Sequence, residues 1–380
     1  MEARVGPYGP HRPRPARIRL ATCVVAAGLT ASPVAAAVPA QATVGSSAGR
    51  LVRVSTGAEL EAAMANARPG DTIRMADGVY RAEPVSTVSG TPRAPITLTG
   101  SRRAVIVNGT FVPSTTPCPS GHTGYGVWLN GASHWRLTGF TVQDSKKGIV
   151  MDHASGVVIS GVLVQGIQEE GVHFRAASRD GLVQGSTIRQ TGLVKPGFGE
   201  GVYIGSAYGN WRCYGEHGAG TPDRSDRVRV IGNRFGPDVA AEHIDIKEGT
   251  VGGRVIGNFF DGRGLTGENS ADSWLDVKGS RYLVLGNFGS YRPTPGSVFA
   301  DGYETHEQYD QGYGCGNVFR ANASDLAGVG AYGFLITNQA ECPGDPNVVY
   351  DSNVTWGAVT APANIPLTPD PWGRAHPALR

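Results

Sequence analysis

Charge is scarce in this chain of 380 residues: Asp, Glu, Lys and Arg together make up only 17% of it. Methionine occurs four times and cysteine five. Beyond residue 42 no apolar run reaches the ~18 residues that a membrane-spanning helix needs. No C-x-x-C pair and no His/Cys spacing of a zinc site is present. Glycine is plentiful, with 55 residues, but it lacks the three-residue period of collagen. Apolar residues at 40% are too many for a disordered chain. The composition is that of a turn-rich, all-β protein, long enough for two average domains or one elongated repeat domain.

The start of the chain has the layout of a secretion signal. Arg12, Arg14, Arg17 and Arg19 precede an apolar stretch from Leu20 to about Ala31, and Ala35-Ala36-Ala37 or Ala40-Gln41-Ala42 offers a small-residue cleavage site. Removing residues 1–42 takes five basic and one acidic residue with it. That leaves 29 basic and 31 acidic residues, a formal −2 in place of +2. No basic field for nucleic acid survives, and a membrane partner is not expected. Cys23 leaves with the leader. Cys118, Cys213, Cys315 and Cys342 remain, an even number in an exported chain, and the pairs expected are Cys315–Cys342 and Cys118–Cys213.

From residue 126 the chain repeats itself. "GVWLNGASHWRLTGFTV", "GIVMDHASGVVISGVLV" and "GVHFRAASRDGLVQGSTI" begin at Gly126, Gly148 and Gly171, steps of 22 and 23 residues. Later steps are longer because loops are inserted. Each repeat opens with strict alternation: Val127/Leu129, Ile149/Met151, Val172/Phe174, Val202/Ile204, Ile244/Ile246, Leu275/Val277, Tyr303/Thr305, Phe334/Ile336. Period-2 alternation puts these on one face, and equal positions in successive coils stack ~4.8 Å apart. Such short strands with glycine turns predict an all-β fold, a single parallel β-helix over residues 43–361. Residues 57–67, "GAELEAAMANA", supply its N-terminal cap helix, and the Pro-rich residues 362–380 drape over the last coil or stay disordered. Asn233, Asn258, Asn287 and Asn317 fit one asparagine-bearing corner of neighbouring coils. The sequons at Asn108, Asn322 and Asn353 are read as surface turns.

The alternate residues then point outward and stack too. One column reads Trp128, Val150, His173, Tyr203, Asp245, Asp276, Glu304; the next reads Asn130, Asp152, Arg175, Gly205, Lys247, Lys278, His306. A third, at the start of each strand, holds Glu170, Glu200, Glu242, Ser273 and Asp301. Like charges stacked at strand spacing destabilise, so three glutamates in register call for a cation beside them. Calcium, bound through oxygen, would serve, with Glu170, Glu200 and Glu242 as ligands. Two lysines in register repel each other, an arrangement that lowers the pKa of one and makes a base of it. Loops between 205 and 226 and between 261 and 272 could wall the site.

The cap segment "ELEAAMANARPGDTIRMADGVY" and the repeated "GN.F" turns resemble the pectin-lyase-like right-handed parallel β-helix superfamily of exported polysaccharide-active proteins. Within it the chain is most similar to polysaccharide lyase family 6, the alginate lyases and chondroitinase B. The resemblance rests on Glu242 and Lys247 in "EHIDIKEGTVGGRVIGN". In that pattern the next coil carries an arginine where this chain has Lys278, and a second metal-site glutamate would fall on Ala240. The resemblance implies a secreted lyase, a monomer, acting on an acidic polysaccharide by β-elimination. Lys247 would be the base, Lys278 or Tyr203 the acid, and His173, Arg175, Asp245, Asp276, Glu304 and His306 would hold substrate. A glycoside hydrolase using Asp245 and Asp276 is the rival, since the two sit one coil apart. The Asn-Thr-Asp and Gly-His-Gly motifs of polygalacturonases are missing, however. A carbon-5 epimerase and a non-catalytic glycan-binding β-helix are two further rivals.

Overall fold

The alternating β-branched and aromatic residues do form short strands, wound into coils. The computed structural model describes residues 49–109, 118, 124–218, 220–306 and 312–373; the expected leader, residues 1–42, lies outside them. Among the described residues the strands line up in three parallel sheets of eleven, ten and ten strands, and each strand pairs with its equivalents in neighbouring coils. This is a single parallel β-helix.

Val127, Ile149, Val172, Val202, Ile244, Leu275, Tyr303 and Phe334 are register partners in turn, and all are buried. The inner column is therefore the one the alternation predicts. Each such side chain contributes about 1.5–3 kcal/mol on burial. Toward the end of the helix the column turns aromatic, with the Tyr303 and Phe334 rings stacked at 4.9 Å and 7°.

The open edge of the first coil is covered by the helix Gly57–Ala65, with Leu60 and Met64 buried beneath it. Thr56 caps this helix, its side chain accepting from Glu59 N at 3.2 Å while Glu59 Oε2 accepts from Thr56 N at 3.2 Å. At the other end Ala361–Ala363 adds a last strand to Tyr332–Ile336. Beyond it Asp370 accepts from Arg320 Nε at 2.8 Å, and the same guanidinium lies 4.6 Å over the Trp372 ring. Residues 361–373 thus lie across the final coil.

The asparagine corner is real, but its membership differs. Asn233, Asn258, Asn287, Asn322 and Asn353 form one ladder, each side-chain oxygen accepting from the backbone N–H of the member before it at 2.8–3.0 Å. Asn317 belongs to a separate pair with Asn347. Asn322 is fully buried and cannot be the surface turn its sequon suggested. In a β-helix the corner amide replaces the ladder hydrogen bond that a turning backbone loses, which puts asparagine inside. Both expected disulfides, Cys118–Cys213 and Cys315–Cys342, are formed. No helix among the described residues is long and apolar enough to cross a membrane.

Candidate active site

The outward columns gather where the coils carry their longest insertions. Tyr203, Asp245, Asp276 and Glu304 are register partners on successive strands. Lys247, Lys278 and His306 follow at the ends of those strands, held by N–H bonds to Ile204 O (2.8 Å), Ile246 O (2.7 Å) and Val277 O (3.2 Å). Gly205 occupies the same position one coil before Lys247. Its φ of +83°, and a Cβ that would meet Thr250 at 2.6 Å, exclude a side chain there. The two expected loops do wall the site. Ala207 and Asn210 stand on one side, Asn269 and Asp272 on the other, around a cleft of about 700 Å³. Walling buries the floor: Asp245, Asp276 and Glu304 are each less than 5% exposed.

On that floor the charges are closely coupled. Lys247 Nζ lies 2.6 Å from Asp245 Oδ2 and 5.1 Å from the centre of the Tyr203 ring. Lys278 pairs with Asp276 and sits 3.5 Å from Asp245 Oδ1, while His306 Nδ1 is 2.8 Å from Asp276 Oδ1. Burial disfavours both ammonium groups, but the carboxylates around them outweigh it, and both lysines are raised above the usual range. This corrects the expectation that mutual repulsion would lower one of them: the aspartate two residues before each lysine neutralises the repulsion. Burial, then Asp245, lifts the Tyr203 phenol well above its usual value. Burial and the neighbouring Asp245 push Glu242 up to about 8, and Glu200 is raised by burial and by Glu170.

Three expected site residues are occupied otherwise. Glu170 is ion-paired to buried Lys147, with His173 Nδ1 at 3.5 Å, and is not a free ligand beside Glu200. Lys147 is the cation that the glutamate column required, standing one coil earlier in the same column; the run "KKGIV" carried that signal. Arg175 makes two bonds to Asp152, at 2.5 and 3.0 Å, and lies 4.4 Å over the Tyr214 ring. His173 Nε2 bonds Gly205 O at 3.1 Å, and burial lowers its pKa. Arg175 and His173 shape the wall, Arg175 held by Asp152 and the Tyr125 hydroxyl and His173 through its Nε2.

Comparison with known proteins agrees with this architecture. No protein-family model and no curated protein sequence matches the chain. Among solved structures, an alginate lyase from Paenibacillus sp. str. FPU-7 is 33% identical, covers 83% of this chain and 99% of its own, and superposes with a TM-score of 0.71. The chain belongs to that family. A pectate lyase, Pel9A, shares the fold at 15% identity, 85% and 80% coverage and TM-score 0.53. So does the Streptococcus pneumoniae surface adhesin PfbA, at 15% identity, 81% of each chain and TM-score 0.51.

Within this pectin-lyase-like β-helix family member two side-chain clusters have the spacing to hold a cation, Asp276 with Glu304 and His306, and the all-carboxyl group Glu200, Glu242 and Asp245, whose donor oxygens lie within 4.8 Å of one another. Asp245 replaces the expected Glu170. All three are buried, and Glu200 Oε2 has no hydrogen-bond partner among the described residues. An all-oxygen, acidic donor set with an unsatisfied buried oxygen fits calcium. Ala240, where the resemblance would place a glutamate, instead has its carbonyl bonded by Thr266 N at 3.0 Å.

Proposed function

We propose that this protein is a secreted lyase that cleaves a uronate-containing polysaccharide of the alginate type by β-elimination. The observation that carries the reading is the group Tyr203, Lys247 and Lys278 on the floor of an open cleft. The 33% identity to an alginate lyase along nearly all of that enzyme supports it. Two disulfides suit an oxidising, extracellular setting.

β-Elimination breaks the C5–H bond, forms the C4–C5 double bond and expels the 4-linked oxygen, which must gain a proton. In this assignment Lys247 takes the carbon-5 proton, and the Tyr203 hydroxyl or the Lys278 ammonium supplies one to the leaving oxygen. The raised values of Tyr203 and Lys278 keep both protonated, as an acid must be. Lys247 works as a base only from its neutral form, and the carboxylates around it favour the ammonium. Offsetting their charge, and that of the substrate carboxylate, is the chemistry a calcium held by Glu200, Glu242 and Asp245 would supply. His306 and Lys278, both fixed by Asp276, face the same space and can orient an anionic sugar.

A retaining glycosidase would need one of Asp245 and Asp276 as nucleophile and the other as protonated acid. Both are instead ion-paired to lysines, and Asp276 is held well below the usual carboxylate range because Lys278 and His306 outweigh its burial. The deciding experiment follows absorbance near ~230 nm, where the new double bond absorbs, on alginate blocks, pectate, glucuronan and chondroitin and dermatan sulfates, with calcium and with chelator. A rise on one polymer establishes elimination. New reducing ends without a rise would move the assignment to hydrolysis.

A further inference from the structure

The cleft does not end at Tyr203. A second cavity of about 210 Å³ opens on its Lys147 side, and the two share Phe198, Tyr203 and Asn210 as a common boundary. The Lys147 strand lies two coils before that of Tyr203, roughly 10 Å along the axis at strand spacing. That is the reach of a neighbouring sugar unit.

The two cavities differ in charge. The smaller is lined by four cationic side chains, Lys146, Lys147, Lys195 and Arg175, against two glutamates. The larger is lined by eight carboxyl groups against two lysines and His306. Within the smaller one, Lys147 is committed to Glu170 and Arg175 to Asp152. Glu169 serves two ammonium groups at once, with Lys147 and Lys195 each at 3.3 Å. The Lys195 side chain is nonetheless 40% exposed.

Lys195 is also held in place. The backbone N–H groups of Gly192, Val194 and Lys195 bond the carbonyls of Glu169, Gln168 and Gln168 at 3.1 Å, so the loop is pinned to the coil beneath it. Its neighbour Phe198 exposes 54% of its surface at the shared boundary, with Lys195 Nζ 5.6 Å from the ring. A large ring left open beside a cation offers a face for a sugar and a charge for its carboxylate.

We propose that this second cavity is a carboxylate-selective subsite: it seats the uronate next to the cut unit, with the carboxylate on Lys195 and the sugar face on Phe198. Among the described residues the opposite end of the cleft offers no such site, so the polymer is held in one direction. Around Asp272, Asp301 and Glu304 carboxyl groups predominate, and the two cations there, Lys278 and His306, already serve the unit being cut. This inference rests on the lyase reading for its substrate, though not for its test.

The test uses alginate-derived trisaccharides with the full chain. Calorimetry in the Lys247→Arg background reads binding without turnover, and the kinetics of elimination read KM against kcat. Lys195→Ala should weaken binding and raise KM by about fivefold, the value of one partly exposed charge contact, while kcat changes less than twofold. Lys195→Arg should restore most of the loss. Trisaccharides carboxyl-reduced at one end should lose affinity, and those reduced at the other should not. If Lys195→Ala leaves both KM and affinity unchanged while elimination proceeds, the subsite is wrong and the lyase stands. Equal loss from reduction at either end overturns the one-sided arrangement. No elimination on any polymer, with trisaccharide binding still weakened by Lys195→Ala, would sink the lyase reading and keep the subsite.

Discussion

Lys247 and Asp245 form a 2.6 Å ion pair on the cleft floor, two residues apart on one face of the same strand. The pair fixes the ammonium group beside Tyr203 and holds its proton in the free protein. A base role and a counter-charge role for Lys247 then make different demands. Lys247→Arg keeps the positive charge and can keep the pair, but a guanidinium does not give up its proton. We expect a fall in kcat of about a thousandfold or more, with little change in KM. A variant that keeps most of its kcat would assign Lys247 to charge neutralisation alone.

The Glu200, Glu242 and Asp245 cluster makes a prediction independent of substrate. Calcium at 100 times its Kd stabilises the folded state by about 2.7 kcal/mol. Thermal unfolding should therefore shift upward by a few degrees when calcium replaces chelator, and Glu200→Gln should abolish the shift. Identical melting curves in calcium and chelator would remove the metal from the assignment.

Much of this site was legible in the sequence, because a β-helix turns period-2 alternation into fixed columns. Tyr203, Asp245 and Asp276 stand in the register that the repeats imply. What could not be read was side-chain commitment. Arg175 and Asp152 fall in one column a coil apart, yet nothing in the spacing says that they engage each other and not a ligand. Lys195 and Phe198 sit in an inserted loop, where no repeat exists to align and where position depends on backbone bonds to residues 167–169. The asparagine ladder failed for a smaller reason. Asn317 and Asn322 flank the strand Val318–Arg320, and the ladder takes the one that follows it, as Asn287 follows Leu283–Leu285.

The commitment of Arg175 is testable through stability. Its pair with Asp152 is buried on both sides, with side chains 8% exposed. Removing one member of such a pair costs about 3–5 kcal/mol because the other is left uncompensated. Arg175→Met should lower Tm markedly and should change KM less than Lys195→Ala does. Burial opposes ionisation of Asp152, but Arg175 outweighs it and holds the carboxyl below its usual value. The stabilisation is thus fully present above the unfolded value of about 3.9 and is lost as pH falls through the folded one. Wild-type Tm should drop more steeply from pH 5 toward pH 2 than that of Asp152→Asn. Parallel slopes would show that the pair does not carry the acid sensitivity.

The asparagine ladder should act on stability and leave chemistry alone, since it lies on a corner away from the cleft lining. Asn258 Oδ1 accepts from Asn233 N at 2.9 Å and from its amide at 3.0 Å, and Asn258 Nδ2 donates to Val230 O and Asn287 Oδ1, both at 2.9 Å. Asn258→Ala strands the buried Asn233 N–H and the Val230 carbonyl. Each orphaned group costs about 1–3 kcal/mol, so a loss of roughly 3 kcal/mol or more in denaturant unfolding is expected. Turnover per folded molecule should match that of the wild type. Asn258→Asp keeps the accepting oxygen and loses the donor, and should fall between the two. An Asn258→Ala protein of undiminished stability would mean that water repairs the corner and that the ladder is not what holds successive coils in register.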